Sequence, residues 1–192
     1  MKTAPAVAAA ALLAWMLPIL DQQPQPFERP FAKGGTIRLE LAAADYRISG
    51  TTDEKIRIRS RTSQPEDADK ARVEVDVRGT AATIRTAGPK NGLHFDIEVP
   101  QRSDLDIDLS AGDVEVRGIE GNKALSMWAG DVNIDVGRAG LYRQVDASVR
   151  VGDISAAPFD ISKGGILRSF TWRGGGQYTL RVRLFAGDLT LR

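Results

Sequence analysis

Leu105–Val116 reads LDIDLSAGDVEV. Leu105, Ile107 and Leu109 alternate with Asp106, Asp108 and Ser110. A small turn, Ala111-Gly112-Asp113, interrupts the pattern. Val114 and Val116 then resume it, with Glu115 and Arg117 on the other side. Period-two alternation on both sides of a glycine turn is a strand, a corner and a second strand.

The unit recurs. Asp113, Asp131, Asp153 and Asp188 each follow a glycine, namely Gly112, Gly130, Gly152 and Gly187, and a degenerate copy reads Ala44-Asp45. Four residues before the Asp stand Leu41, Leu109, Met127, Val149 and Leu184; six before stand Leu39, Ile107, Leu125, Ala147 and Val182. One after stand Tyr46, Val114, Val132, Ile154 and Leu189; three after stand Ile48, Val116, Ile134, Ala156 and Leu191. Every slot is apolar or small. A unit this short cannot bury its own apolar face, whereas stacking it on its neighbours does. The pattern predicts an all-β fold: a right-handed single-stranded β-helix, or β-solenoid, of short rungs stacked about 4.8 Å apart. Asp113 to Asp131 is one rung of about 20 residues. The longer step from Asp153 to Asp188 needs an excursion or an extra rung.

The 192 residues suffice for one domain with a sizeable core. Lys and Arg number 26 against 25 Asp and Glu, which gives no electrostatic footprint for nucleic acid. The absence of cysteine removes disulfides, thiolate chemistry and lipid attachment through an N-terminal Cys.

Residues 1–20 read as a signal peptide, with Lys2 before the apolar run that ends at Leu20. The run is short for a membrane span and contains Pro18; an uncleaved anchor is the alternative. Either predicts export to the periplasm or the bacterial cell surface. Residues 21–30, DQQPQPFERP, read as an extended linker. Residues 31–192 form the folded body. Its further strands are predicted at 55–61, 72–77, 83–86, 93–99 and 166–172, with turns at Gly79, Gly88-Pro89 and Asn91-Gly92. Residues 63–71 are predicted as a polar loop or short helical turn, and Gly174–Gly176 as a chain reversal. KIRIRSR, Lys55–Arg61, is a basic stretch that reads either as a polyanion site or, more simply, as a solvated strand face.

The segment IEVP (Ile97–Pro100), LDIDLSAGDVEVRGIEG, the copies ALSMWAGDVNIDV and VGDI, and the opening FAKGGTIRLELAAADYRISG resemble the adhesin family of bacterial envelope proteins. The resemblance spans about Phe31 to Arg192 and implies a single-stranded β-helix. It carries over no catalytic or binding residue.

The sharpest chemical candidate is the Asp column. Stacked repeats place Asp113, Asp131 and Asp153 along one edge, a candidate Ca²⁺ row. Unit charges about 4.8 Å apart repel by roughly 1 kcal/mol in water and more at lower dielectric, so something must offset them. In the simpler reading each carboxylate accepts a hydrogen bond from a backbone N–H of its own turn, worth about 1 kcal/mol, and Arg117, Arg138 and Arg150 screen the row. The denser glycine–aspartate nonapeptide of calcium solenoids is absent. Asp104, Asp106 and Asp108 form a second acidic stripe, which reads as glycosidase carboxylates or as a solvated strand face. His94, the single histidine, gives little support to a metal site or a triad. Trp128, Tyr142, Trp172 and Tyr178 read as a sugar-stacking platform or as packing at corners and core ends.

The expectation is a non-enzymatic envelope module without a cofactor, a structural or interaction part whose partner is an envelope protein or a polysaccharide. Two alternatives stand beside it. One is end-to-end self-association, favoured by a C-terminal strand at Leu191-Arg192 without a polar cap. The other is a carbohydrate-binding or carbohydrate-active β-helix.

Overall fold

The computed structural model describes residues 26–64, 70–89 and 92–192; the segment read as a signal peptide, most of the loop at 63–71 and Asn91 lie outside these. The strands are β1 (Phe27–Pro30), β2 (Thr36–Leu41), β3 (Asp45–Thr51), β4 (Lys55–Thr62), β5 (Arg72–Arg78) and β6 (Ala81–Ala87). They continue with β7 (Leu93–Pro100), β8 (Asp104–Ala111), β9 (Val114–Arg117), β10 (Lys123–Ala129), β11 (Val132–Ile134) and β12 (Tyr142–Val151). The last are β13 (Ile154–Ala156), β14 (Ile161–Lys163), β15 (Ile166–Arg173), β16 (Tyr178–Ala186) and β17 (Leu189–Leu191). Single turns of 3-10 helix at Ala139–Leu141 and Ala157–Phe159 interrupt them.

The fold is all-β, built from two sheets over one core. One sheet has the order β1-β4-β7-β3-β9-β11-β17-β13-β14, the other β15-β12-β16-β10-β8-β2-β6-β5. Each repeat unit gives its first strand to the eight-stranded sheet and, after the corner, its second to the nine-stranded one. The alternating apolar residues of both strands point into the shared core. Leu39, Ile107, Leu125, Val182 and Ala147 are cross-strand neighbours along β2, β8, β10, β16 and β12. Tyr46, Val114, Val132, Leu189 and Ile154 form the matching row in the other sheet. These are the sequence slots six before and one after the Asp. A slip of one residue would turn every apolar side chain to water, so the slots hold the register.

The stacking order departs from chain order. From β10–β11 the chain skips a place to lay down β12–β13. It adds antiparallel β14 and β15 outside them, and then returns to insert β16–β17 into the gap. The long step before Asp188 is therefore an excursion. At the other end β4 and β5 pair antiparallel with β7 and β6, and β1 pairs antiparallel with β4. The inner ladders are parallel, and both sheets finish at both ends on antiparallel strands. A stack laid down rung after rung is not what forms.

Two readings are corrected. The linker at 21–30 supplies a strand, β1, whose Phe27 sits opposite Ile58. Proline suits that place, because an edge strand can spare the N–H that Pro30 lacks. The C-terminal strand β17 lies between β11 and β13 inside its sheet, so it offers no free ladder for end-to-end growth. The turn at Gly79 closes a two-residue hairpin, Gly79-Thr80, with Gly79 at φ +61°.

Candidate functional site

At the corners the structure builds a ladder from the repeated pair. Asp113 N–H donates to Asp45 Oδ1 at 3.1 Å, Asp131 N–H to Asp113 Oδ1 at 3.1 Å, Asp188 N–H to Asp131 Oδ1 at 3.0 Å and Asp153 N–H to Asp188 Oδ1 at 2.9 Å. Gly165 N–H closes the series on Asp153 Oδ1 at 3.1 Å. Each carboxylate thus caps the neighbouring turn rather than its own, because in-register stacking brings the next N–H closer than the local one. Asp188 stands between Asp131 and Asp153, so the proposed calcium triplet is not contiguous. Arg117 pairs with Glu115 and Arg150 lies over Phe185, so neither is spent on the row. Among the described residues no group of three carboxylates or imidazoles is gathered as a metal site.

The glycines explain why the ladder has this spacing. Gly112, Gly130, Gly152 and Gly187 lie at φ between +122° and +132°. A Cβ on Gly112 would overlap the Ala44 carbonyl oxygen, one on Gly130 that of Gly112, one on Gly187 that of Gly130 and one on Gly152 that of Gly187. Ala44 ends this column, outside the left-handed region, which is why the degenerate copy tolerates a side chain.

Charges on the outer faces are mostly matched. Arg57 holds Glu28 and Glu98, Arg59 holds Glu98, and Arg61 reaches Asp96 at 2.5 Å. The basic stretch KIRIRSR is therefore neutralised across its neighbours, as a solvated strand face. On β8, Asp104 accepts from the Asn122 N–H at 2.8 Å and from its Nδ2 at 3.0 Å, and Arg38 faces Asp106 and Asp108 at 3.8 and 3.4 Å. Glu40 is held below the usual carboxylate range by its hydrogen bond from Arg85. His94 sits on β7, its Nδ1 3.2 Å from Asp45 Oδ2.

The outer face of the eight-stranded sheet differs around β10. There Ala124, Ser126 and Trp128 point outward between the acidic stripe of β8 and Arg181 and Arg183 of β16. Trp128 is 62 % exposed. Its ring stacks on Phe185 at 4.0 Å and 5°. The Arg150 guanidinium lies 5.7 Å from the Phe185 ring on the far side. Parallel register puts Ser110 of β8 beside the other face of Trp128, with Ala42 beyond it. The rings stand up from the sheet and wall an open trough of about 880 Å³ lined by Glu40, Asp108, Ser110, Ser126, Arg150 and Arg183. An aromatic face, small residues as floor and both hydrogen-bond donors and acceptors at the rim suit a flat, hydroxyl-rich ligand.

The other named aromatics take the packing role. Tyr142 is buried, edge-on to Phe159 and Tyr178, and Phe159 leans on Phe170 and Trp172. This cluster fills the core near the excursion.

Sequence reasoning missed Phe185, whose outward parity next to Trp128 emerges only once β16 is inserted beside β10. It also missed Lys123, which occupies an apolar register position between Leu105 and Leu180 and is 3 % exposed. Its Nζ donates to Tyr142 Oη at 3.0 Å and to the Gly121 carbonyl at 3.2 Å. Burial pushes the Lys123 ammonium down to about 8 against the pull of Asp135, Asp104 and Glu120, and burial pushes the Tyr142 phenol up to about 12. The signal was present in the sequence: Lys123 stands eight before Asp131, where Leu105 and Leu180 stand before Asp113 and Asp188.

Fold and site together define a two-sheet, all-β protein with an exposed aromatic trough. A solved structure of a "putative cell adhesion protein" from Clostridium sporogenes ATCC 15579 has this fold, with a TM-score of 0.53 and 14 % identity over 87 % of this chain and 98 % of that one. No family model and no curated protein matches the sequence.

Proposed function

We propose that the protein is an exported, non-enzymatic, adhesin-like module of the bacterial envelope that binds polysaccharide along the Trp128 trough. The observation that carries this reading is the exposed Trp128–Phe185 stack on a sheet face otherwise dressed with small and charged residues. Sugar rings present C–H faces that pack on aromatic rings, and their hydroxyls hydrogen-bond with carboxylates, guanidinium groups and serines. The family resemblance of the repeat and a fold neighbour named as a cell adhesion protein support the adhesin-like part. Five repeat copies in matching register support reading the two sheets as a β-solenoid whose turns are stacked out of chain order. The engagement of Asp104, Asp106 and Asp108 with Asn122 and Arg38 favours binding over hydrolysis.

Affinity electrophoresis in gels containing a soluble polysaccharide tests the trough. Retardation is expected for the native protein and its loss for Trp128→Ala; a panel of neutral and acidic polysaccharides without any retardation overturns the reading. Export is tested by cell fractionation of the full chain, where recovery in the cytoplasm alone would overturn it.

A further inference from the structure

The arginines of β12, β15 and β16 differ from most of those elsewhere on the sheets. Arg143, Arg150, Arg168, Arg173, Arg181 and Arg183 make no ion pair among the described residues, although Arg38, Arg57, Arg59, Arg61, Arg78, Arg85 and Arg117 all do. The one acid on these three strands, Asp146, accepts from Gln144 Nε2 at 2.6 Å and Thr171 Oγ1 at 2.9 Å and is not within ion-pair distance of an arginine. Two of the unpaired guanidinium groups, Arg150 and Arg183, line the trough. Arg181 and Arg183 point outward on β16, about 7 Å apart along the strand, and Arg150 stands beyond Phe185 on β12.

An arginine left without a carboxylate presents a planar fork suited to two oxygens of an anion. Here the forks lie beside an exposed aromatic wall, while the opposite bank of the trough, β8, carries Asp106 and Asp108 already engaged by Arg38. The charge asymmetry orients a ligand. Its anionic groups belong over β16 and β12, and its hydroxyls face β8.

We propose that the trough takes an acidic polysaccharide of the uronic acid class, with carboxylates on Arg183 and Arg150 and a sugar-ring face on Trp128. This rests on the reading of the trough as the saccharide-binding surface. A neutral glucan leaves the two arginines unused, and a polyanion without sugar rings leaves Trp128 unused.

The test is affinity electrophoresis of the full chain with polygalacturonate, with the same polymer fully methyl-esterified, with dextran and with polyphosphate. Polygalacturonate is expected to bind about tenfold or more tightly than its ester, the difference that one charge-assisted contact supplies. Arg183→Glu is expected to remove that preference, and Trp128→Ala to weaken both polymers. Added salt weakens the acidic polymer selectively, because exposed charges are screened. Both variants are surface changes, and an unchanged thermal midpoint verifies their fold. Equal binding of acid and ester, or of dextran, overturns the acidic specificity and leaves saccharide binding standing. Polyphosphate binding as strong as polygalacturonate binding, with Trp128→Ala without effect, reduces the site to charge adsorption and overturns the inference. Silence with every sugar polymer sinks the saccharide reading itself.

Discussion

The two halves of the eight-stranded sheet share one core register and differ in how they face water. On β6, β2 and β8 the outward charges are matched across strands: Arg85 and Arg38 share Glu40, and Arg38 also faces Asp106 and Asp108. On β16, β12 and β15 the outward Arg150, Arg173, Arg181 and Arg183 meet a single aspartate that is satisfied by neutral donors. The strand between the halves, β10, carries Trp128 outward and Lys123 inward. Inward positions answer to the core, which is common to both halves. Outward positions answer only to the neighbouring strand and to whatever the face meets. Matched charges on the first half make a solvated surface, and unmatched charges beside exposed rings make the surface on which the proposed saccharide site rests.

The largest expected effect comes from breaking the seam between the halves. Gly130 lies at φ +122° against the Gly112 backbone in the corner between β10 and β11. Gly130→Val combines backbone strain with a clash against a carbonyl that has nowhere to move, and is expected to cost on the order of 4 kcal/mol or more. Urea unfolding should show both halves lost in one transition; a C-terminal half that survives alone would break the shared-core comparison.

Lys123 sharpens it next. The Lys123 ammonium is held down to about 8 from 10.5, so between these values the unfolded chain binds the extra proton. Stability is therefore reduced below pH 8, by an amount on the order of 3 kcal/mol, and recovers as pH rises toward 10.5. Lys123→Met should flatten that recovery, seen as urea midpoints that no longer climb from about pH 8 to 10. Above pH 10 the native chain keeps protons on Tyr46 and Tyr142, both pushed to about 12, so stability falls again in wild type and variant alike.

The Asp ladder runs through both halves and gives a smaller effect. Asp131→Ala strands the Asp188 N–H and should cost about 1–2 kcal/mol. Asp131→Asn keeps an acceptor and removes one of a column of like charges, so it should cost clearly less in the same melts.

The smallest stability effects belong to the faces. Arg57→Ala in the matched network of the other sheet should change the urea midpoint little, because solvent screens exposed pairs, and leave polygalacturonate binding unchanged. Arg183→Glu should leave stability within about 0.5 kcal/mol while abolishing the preference for the acidic polymer. Equal binding losses from both would erase the distinction between matched and unmatched surfaces.

Legibility in the sequence followed the same division. The apolar slots around each Gly–Asp pair were readable because burial on one face leaves a strict period of two. The corner glycines were readable because only glycine fits a left-handed turn pressed against the backbone below. Of the site, Trp128 was visible only as one of four aromatics that read as a stacking platform or as packing. Phe185 and Arg150 were not, since their neighbours are fixed by an insertion that no local pattern encodes. The basic stretch at Lys55–Arg61 is the solvated strand face that its alternation suggested, and its matching acids lie on β7 and β1.

The sequence by itself determined the strand–corner–strand unit, its inward residues and the Gly–Asp corners, because these depend on local alternation and on backbone sterics. Only the tertiary structure decided the order in which units stack, the antiparallel strands that close both ends, the partner of each Asp and the pairing of Trp128 with Phe185. Equivalent repeats pair almost equally well with one another, so their sequence leaves the order degenerate. The excursion through Ile161–Arg173, with the core cluster of Phe159, Phe170 and Trp172 that it carries, selects one order by what it buries.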